Sequence, residues 1–167
     1  MTLSKLERWM LSNQFKILEK LYPDEADYYE KAREVVESGY ELNYDWLCPH
    51  IDDETVSPQT SHEVMDIMDM YSHLLFAYEK HGKGSGLNKD SIIFHGFSGN
   101  DESAHWVYAL FLYEKEHKFG RLHKGDRLNS HFPMLDQYRA MLKEWKKSND
   151  KYDLSKEDIQ RIISAKP

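Results

Sequence analysis

Residues 57–81 read SPQTSHEVMDIMDMYSHLLFAYEKH, and Gly82 follows. Ser57 offers a side-chain N-cap, and Pro58 takes the first helical position, where a missing N–H goes unneeded. At about 100° per residue, Val64, Ile67, Met68, Tyr71, Leu74, Leu75 and Tyr78 fall within roughly 120° of arc. The stretch therefore predicts a long helix with one clean apolar face, stopped at Gly82. Such a face must be buried against other helices or a sheet, so the flanking sequence decides the fold class.

On the N-terminal side, Ser4 and Glu7 have the spacing of a capping box. Leu11, Phe15, Leu18 and Tyr22 follow at i, i+4, i+7 and i+11. Leu6, Met10, Ile17 and Leu21 widen this stripe to about half of the helix surface. Gln14 falls inside the widened face. The spacing thus predicts a buried amide bonded to the backbone of another segment, because an unmet buried amide costs about 1–3 kcal/mol. Pro23-Asp24-Glu25 stops this helix and starts a second, with Tyr29, Ala32, Val35 and Val36 as its stripe and Gly39 as its stop. Between residues 40 and 57, Tyr44, Trp46 and Leu47 suggest a short piece packed on the core. Asp52-Asp53-Glu54 reads as loop and lacks the Gly and distal Glu of a calcium loop.

On the C-terminal side, Lys83 to Lys89 is Gly-rich and reads as an exposed loop. It lacks the spacing and the preceding strand of a phosphate-binding loop. Residues 91–97 are β-prone with no obvious partner. Ser98 to Glu102 opens a helix that is apolar at nearly every position from Trp106 to Tyr113, and so is expected to be buried on most sides. A basic, His-containing loop follows over residues 120–131. Pro133 starts the next helix, with Leu135, Tyr138, Met141, Leu142 and Trp145 at helical spacing. Ser155 and Asp158 cap the last, whose face is Ile159, Ile162 and Ile163. The expected fold is all-α: one multihelical domain over residues 1–167, of about six helices, with at most one short isolated extended segment near 91–97.

Composition narrows the function. A chain of 167 residues buries about 70% of its unfolded surface and needs no staple to fold. One cysteine, Cys48, rules out a disulfide framework, and its acidic surroundings are poor for a nucleophilic thiolate. The longest apolar run, Val107 to Tyr113, is far short of a membrane span. The N-terminus has no apolar leader, so a reducing, cytoplasmic setting is expected. With 22 Lys+Arg against 29 Asp+Glu, the net charge is −7, which disfavours nucleic acid as a partner.

Several stretches resemble the YfbU family, a group of uncharacterised bacterial proteins. They are Leu11-Ser12-Asn13-Gln14, Gly39-Tyr40, Asp66-Ile67-Met68 with Met70-Tyr71, Phe94 with Gly96-Phe97, Pro133-Met134, and Tyr138-Arg139 with Met141-Leu142. They occur in family order and span residues 4 to 163. The Gly-rich loop at 82–89 departs from the pattern by looking longer. The resemblance implies a helical cytoplasmic protein and assigns no catalytic residues.

The most suggestive polar constellation is His62, Asp66, Asp69 and His73, one ridge of the long helix opposite its apolar face. Two histidines and two carboxylates could bind a divalent metal, with His117 or His123 completing the shell. A single helix cannot wrap an ion, however, and an ordinary solvated face has the same composition, so the ridge is expected to be exposed and without metal. His95, His105, His117, His123 and His131 cluster in sequence, but none stands beside a nucleophile motif, and Ser98-Gly99 lacks the full nucleophile-elbow pattern. Four Trp and eleven Tyr exceed what such a core hides, and aromatic residues are enriched at interface centres. Trp9 falls on the polar side of the first helix, packed on a loop or marking a contact. The reading is a non-catalytic interaction or regulatory protein that self-associates as a homo-oligomer, with no catalytic, cofactor or metal residues. The alternative is a metal-dependent hydrolase using the His/Asp ridge.

Overall fold

Both capping boxes form. The Glu7 N–H donates to Ser4 Oγ (3.3 Å) while Ser4 N–H donates to Glu7 Oε2 (2.7 Å). Ser155 and Asp158 repeat the exchange at 3.1 and 3.2 Å. The computed structural model describes residues 1–52, 54–81, 87–122 and 127–167. Among them are six α-helices: α1 Lys5–Leu21, α2 Ala26–Ser38, α3 Pro58–His81, α4 Ser103–Leu110, α5 Leu135–Trp145 and α6 Lys156–Ile163. Short 3₁₀ turns cover Pro23–Glu25, Glu41–Leu47 and Lys89–Ile92. The all-α class holds. The extended segment reduces to residues 93–97, with a single isolated bridge from Phe97 to Asn129. Of the Gly-rich loop, residues 82–86 lie outside the described residues, and Leu87 is buried rather than exposed.

The chain divides into two compact units, Met1–Thr55 and Val56–Pro167. The first is an α1–α2 hairpin. Phe15, Ala32 and Val36 form its centre, with Leu3, Leu11, Leu18, Tyr29, Trp46 and Leu47 packed around them. Arg8 caps the end of α2, donating from Nε to the Val36 carbonyl (2.6 Å) and from Nη2 to that of Glu37 (2.7 Å). The buried Ser12 hydroxyl donates to Glu37 Oε1 at 2.6 Å. Gln14 is exposed, which corrects the expectation of a buried amide. With α2 as its partner, α1 buries only the sector from Leu18 through Phe15 to Ser12. The half-surface stripe is wider than one neighbouring helix can cover, and Ser12 and Arg8 provide the polar ties expected of Gln14.

In the second unit α3 is the central rod, packed on α4, α5 and α6. Its stripe is buried at Val64, Ile67, Met68, Tyr71 and Leu74, and burial extends round to Met70 and Ala77. Tyr71, Phe94, Phe97 and Tyr138 make a continuous aromatic cluster with ring centroids 5.3–5.7 Å apart. The helix carrying Trp106 to Tyr113 is buried on one face through Ala109, Leu110 and Leu112, while Val107 and Phe111 stay exposed. Burial on most sides therefore does not occur: α4 lies at the side of α3, and a π-turn over Phe111–Lys115 ends it. The helix expected from Pro133 begins two residues later, at Leu135.

Candidate functional site

The His/Asp ridge of α3 is not uniformly exposed. His62 faces solvent, but Asp66, Asp69 and His73 are half-buried. Extending burial to Met70 and Ala77 widens the covered sector of α3 until the ridge becomes its rim. Lys146 Nζ donates to Asp66 Oδ2 at 2.6 Å. His73 Nδ1 lies 2.8 Å from the Asp69 carbonyl oxygen; a carbonyl only accepts, so this nitrogen carries a proton. The His73 ring stacks on Trp145 and meets Tyr152 edge-on. Burial pushes the Asp69 carboxyl above its usual value, with Asp66 adding to the rise and His73 opposing it. Two of the four side chains are thus engaged in packing and pairing. Among the described residues, no three His, Cys, Asp or Glu side chains form a group that could hold a metal ion. His117 is at the surface, and His123 lies outside the described residues.

A charged cluster that the sequence reading missed joins three helices. Arg139 of α5 clamps Glu63 of α3 in bidentate fashion, with Nε to Oε1 at 2.7 Å and Nη2 to Oε2 at 2.9 Å. His105 Nε2 of α4 lies 2.9 Å from the same Oε2. The Arg139 guanidinium is the main cause that holds the Glu63 carboxyl down at about 2, against burial, and His105 adds to it. A carboxylate so stabilised is a poor proton acceptor near neutral pH. Its chemistry is that of a clamp across α3, α4 and α5, strengthened by charge and geometry.

That clamp carries a prediction. The folded-state pKa lies below the unfolded one, so the stabilisation is present above about pH 4.5 and is lost as pH falls towards about 2. Glu63→Gln should lower the unfolding free energy at pH 7 by on the order of 2 kcal/mol. This is less than the full shift implies, because Arg139 is half-exposed and solvated. Urea unfolding of both proteins should show the difference shrinking below pH 4.5. A gap that stays constant down to pH 2.5 would mean that the clamp contributes nothing through charge.

The other feature lies in the first unit. Leu6, Trp9, Met10, Ile17 and Leu21 of α1 are each 54–65% exposed. All five lie away from the sector packed on α2, and Gln14 sits among them. Large apolar side chains clustered on one exposed helix face are uncommon on a soluble monomer's surface. Sequence periodicity found these residues but assigned four of them to the core.

The residues that carried the family resemblance lie mainly in the interior. Tyr71, Phe94, Phe97, Tyr138 and Met141 are core residues. Tyr138 Oη donates to the Gly96 carbonyl at 3.0 Å, and Tyr71 Oη lies 3.5 Å from Met141 Sδ. They set the packing of the second unit, and Phe94 also lines a small pocket with Leu75, Ile92, Ile93 and Leu122. Among the described residues, no helix is long and apolar enough to cross a membrane.

Comparison with known proteins matches nearly the whole chain. The YfbU domain matches residues 1–165, across both units. A UPF0304 protein of Methanocaldococcus jannaschii is 38% identical over 171 residues, covering 98% of this chain and 99% of the relative.

Proposed function

The chain belongs to the YfbU family, and from that premise we propose that it is a non-catalytic interaction or regulatory protein of the cytoplasm that self-associates. The observation that carries this reading is the outer face of α1, where five large apolar side chains meet solvent. The polar clusters support it from the other side. Glu63, His105 and Arg139 hold three helices together, and Asp66 and His73 of the ridge are engaged by Lys146 and by the Asp69 carbonyl. The hydrolase alternative needs those ridge donors free to converge. That both units act as one domain over residues 1–167 is part of the proposal, because the family match runs across the boundary at Thr55. Nucleic acid is not expected as a partner, since a net charge of −7 repels phosphate.

Light scattering over a range of concentrations tests the assembly. The expected mass at tens of micromolar is twice that of one chain or a higher multiple, falling on dilution. A one-chain mass even at high micromolar concentration removes the proposal.

A further inference from the structure

We propose that a second copy of this chain covers the outer face of α1, the two α1 helices lying antiparallel about a two-fold axis between Asn13 and Gln14. The inference rests on the self-association reading and names the surface that performs it. The exposed residues Leu6, Met10, Gln14, Ile17 and Leu21 follow one another at steps of three or four, the pattern of a helix–helix seam. This seam also reads the same from either end. Leu6 and Leu21 are equidistant from the midpoint between Asn13 and Gln14, and so are Met10 and Ile17. A two-fold axis through that midpoint therefore lays Leu6 against Leu21 of the second copy and Met10 against Ile17 of the second copy. Asn13 and Gln14, both amides, meet at the centre. Self-complementarity of this kind is what a closed two-fold interface requires. No relation between the two ends of the stripe is needed for packing against an unrelated partner.

The flanks agree with the same arrangement. A two-fold axis perpendicular to both helices brings like flank to like flank. Trp9, Lys16 and Lys20 all lie on one flank of the seam, so the Trp9 ring falls between Lys16 and Lys20 of the second copy. Lys16 already pairs with Glu37 at 3.5 Å, which leaves Lys20 as the cation to meet the aromatic face. No carboxylate lies on the seam itself. The central amides hydrogen-bond to each other and penalise a slipped register, the role a polar residue plays in a helical seam. The five exposed apolar side chains present on the order of 600 Å² per copy, or about 1,200 Å² for the pair, which is the lower end of what a stable interface buries.

Two double variants of the full chain test the face and its direction, each checked by circular dichroism for retained helicity. Met10→Glu with Ile17→Glu sets like charges against each other across the axis. It should weaken the dimer at least 100-fold, giving one-chain mass at concentrations where the wild type is dimeric. Met10→Glu with Ile17→Lys sets opposite charges against each other in the antiparallel seam and should restore the dimer. A parallel seam would set like against like at both positions, and this variant would stay monomeric. A monomeric wild type removes self-association and this inference together. A dimeric wild type whose Met10→Glu, Ile17→Glu variant is still dimeric leaves self-association standing and overturns the face. Loss of the dimer in both variants overturns the antiparallel register.

Discussion

Gly96→Ala is expected to leave the protein unfolded or barely folded at room temperature. Gly96 sits at φ +88°, a region that L side chains rarely adopt. The space is closed as well: a Cβ there would lie 1.8 Å from the Leu128 carbonyl oxygen and 2.2 Å from its carbon. Both are backbone atoms, so no side-chain rotation relieves the overlap. Separating the two segments breaks the bonds from Phe97 N–H to the Leu128 carbonyl (3.0 Å) and from Ser130 N–H to the Phe97 carbonyl (3.1 Å). It also pulls the Gly96 carbonyl from Tyr138 Oη and disturbs the ring cluster of Phe94, Phe97 and Tyr138.

Backbone strain contributes about 1–2 kcal/mol, each lost hydrogen bond about 1 and the disturbed packing about 1–3. A total on the order of 5 kcal/mol is comparable to the whole stability of a marginal domain. Gly120→Ala is the control. Nothing lies within 4 Å of a Cβ built there, so its effect should stay within about 0.5 kcal/mol. Thermal and urea unfolding followed by circular dichroism report both. A Gly96→Ala protein melting within a few degrees of wild type would mean that the backbones at 96 and 128 do not approach as described.

The same region shows what sequence could and could not tell. Periodicity and capping are local, and they placed α1, α3 and α6 well. Ser4, Pro58 and Ser155 carry their start signals within three residues of the chain they cap. Long-range partners leave no such mark. Gly96 was one glycine in a family motif until the Leu128 carbonyl appeared beside it. Glu63 read as an ordinary polar residue of α3, although Arg139 and His105 reach it from two other helices. Gln14 failed for a related reason. Periodicity counts the apolar arc of a helix but not how many neighbours share it, and an arc too wide for α2 alone reads the same whether a second element or a second copy covers the rest. The Trp106 to Tyr113 run shows the opposite error, since apolar residues on all sides of a short helix still leave Val107 and Phe111 exposed.

Glu102 carries the second large effect, and it explains why α5 begins at Leu135. The side chain is buried, and its carboxylate accepts three backbone N–H bonds. Oε1 takes those of Met134 (2.6 Å) and Leu135 (2.7 Å), and Oε2 takes that of Ser98 (2.9 Å). The first N–H groups of a helix have no partner within it, and they lie at the positive end of its dipole. A carboxylate supplied from residue 102 satisfies them, so the helix starts where Glu102 meets it and not at Pro133. Glu102→Ala leaves three donors without an acceptor, the buried Ser98 N–H and the part-buried N–H groups of Met134 and Leu135, each worth up to about 1–3 kcal/mol and not additive. The expected loss is about 4 kcal/mol in urea unfolding. Glu102→Gln keeps one oxygen for Met134 and Leu135 but turns an NH₂ towards the Ser98 N–H, so about 2 kcal/mol is expected. Hydrogen exchange gives an independent reading, because the amides of Met134 and Leu135 should lose protection in either variant beyond the global destabilisation. Two variants each within 1 kcal/mol of wild type, with those amides still protected, would show that another group caps α5.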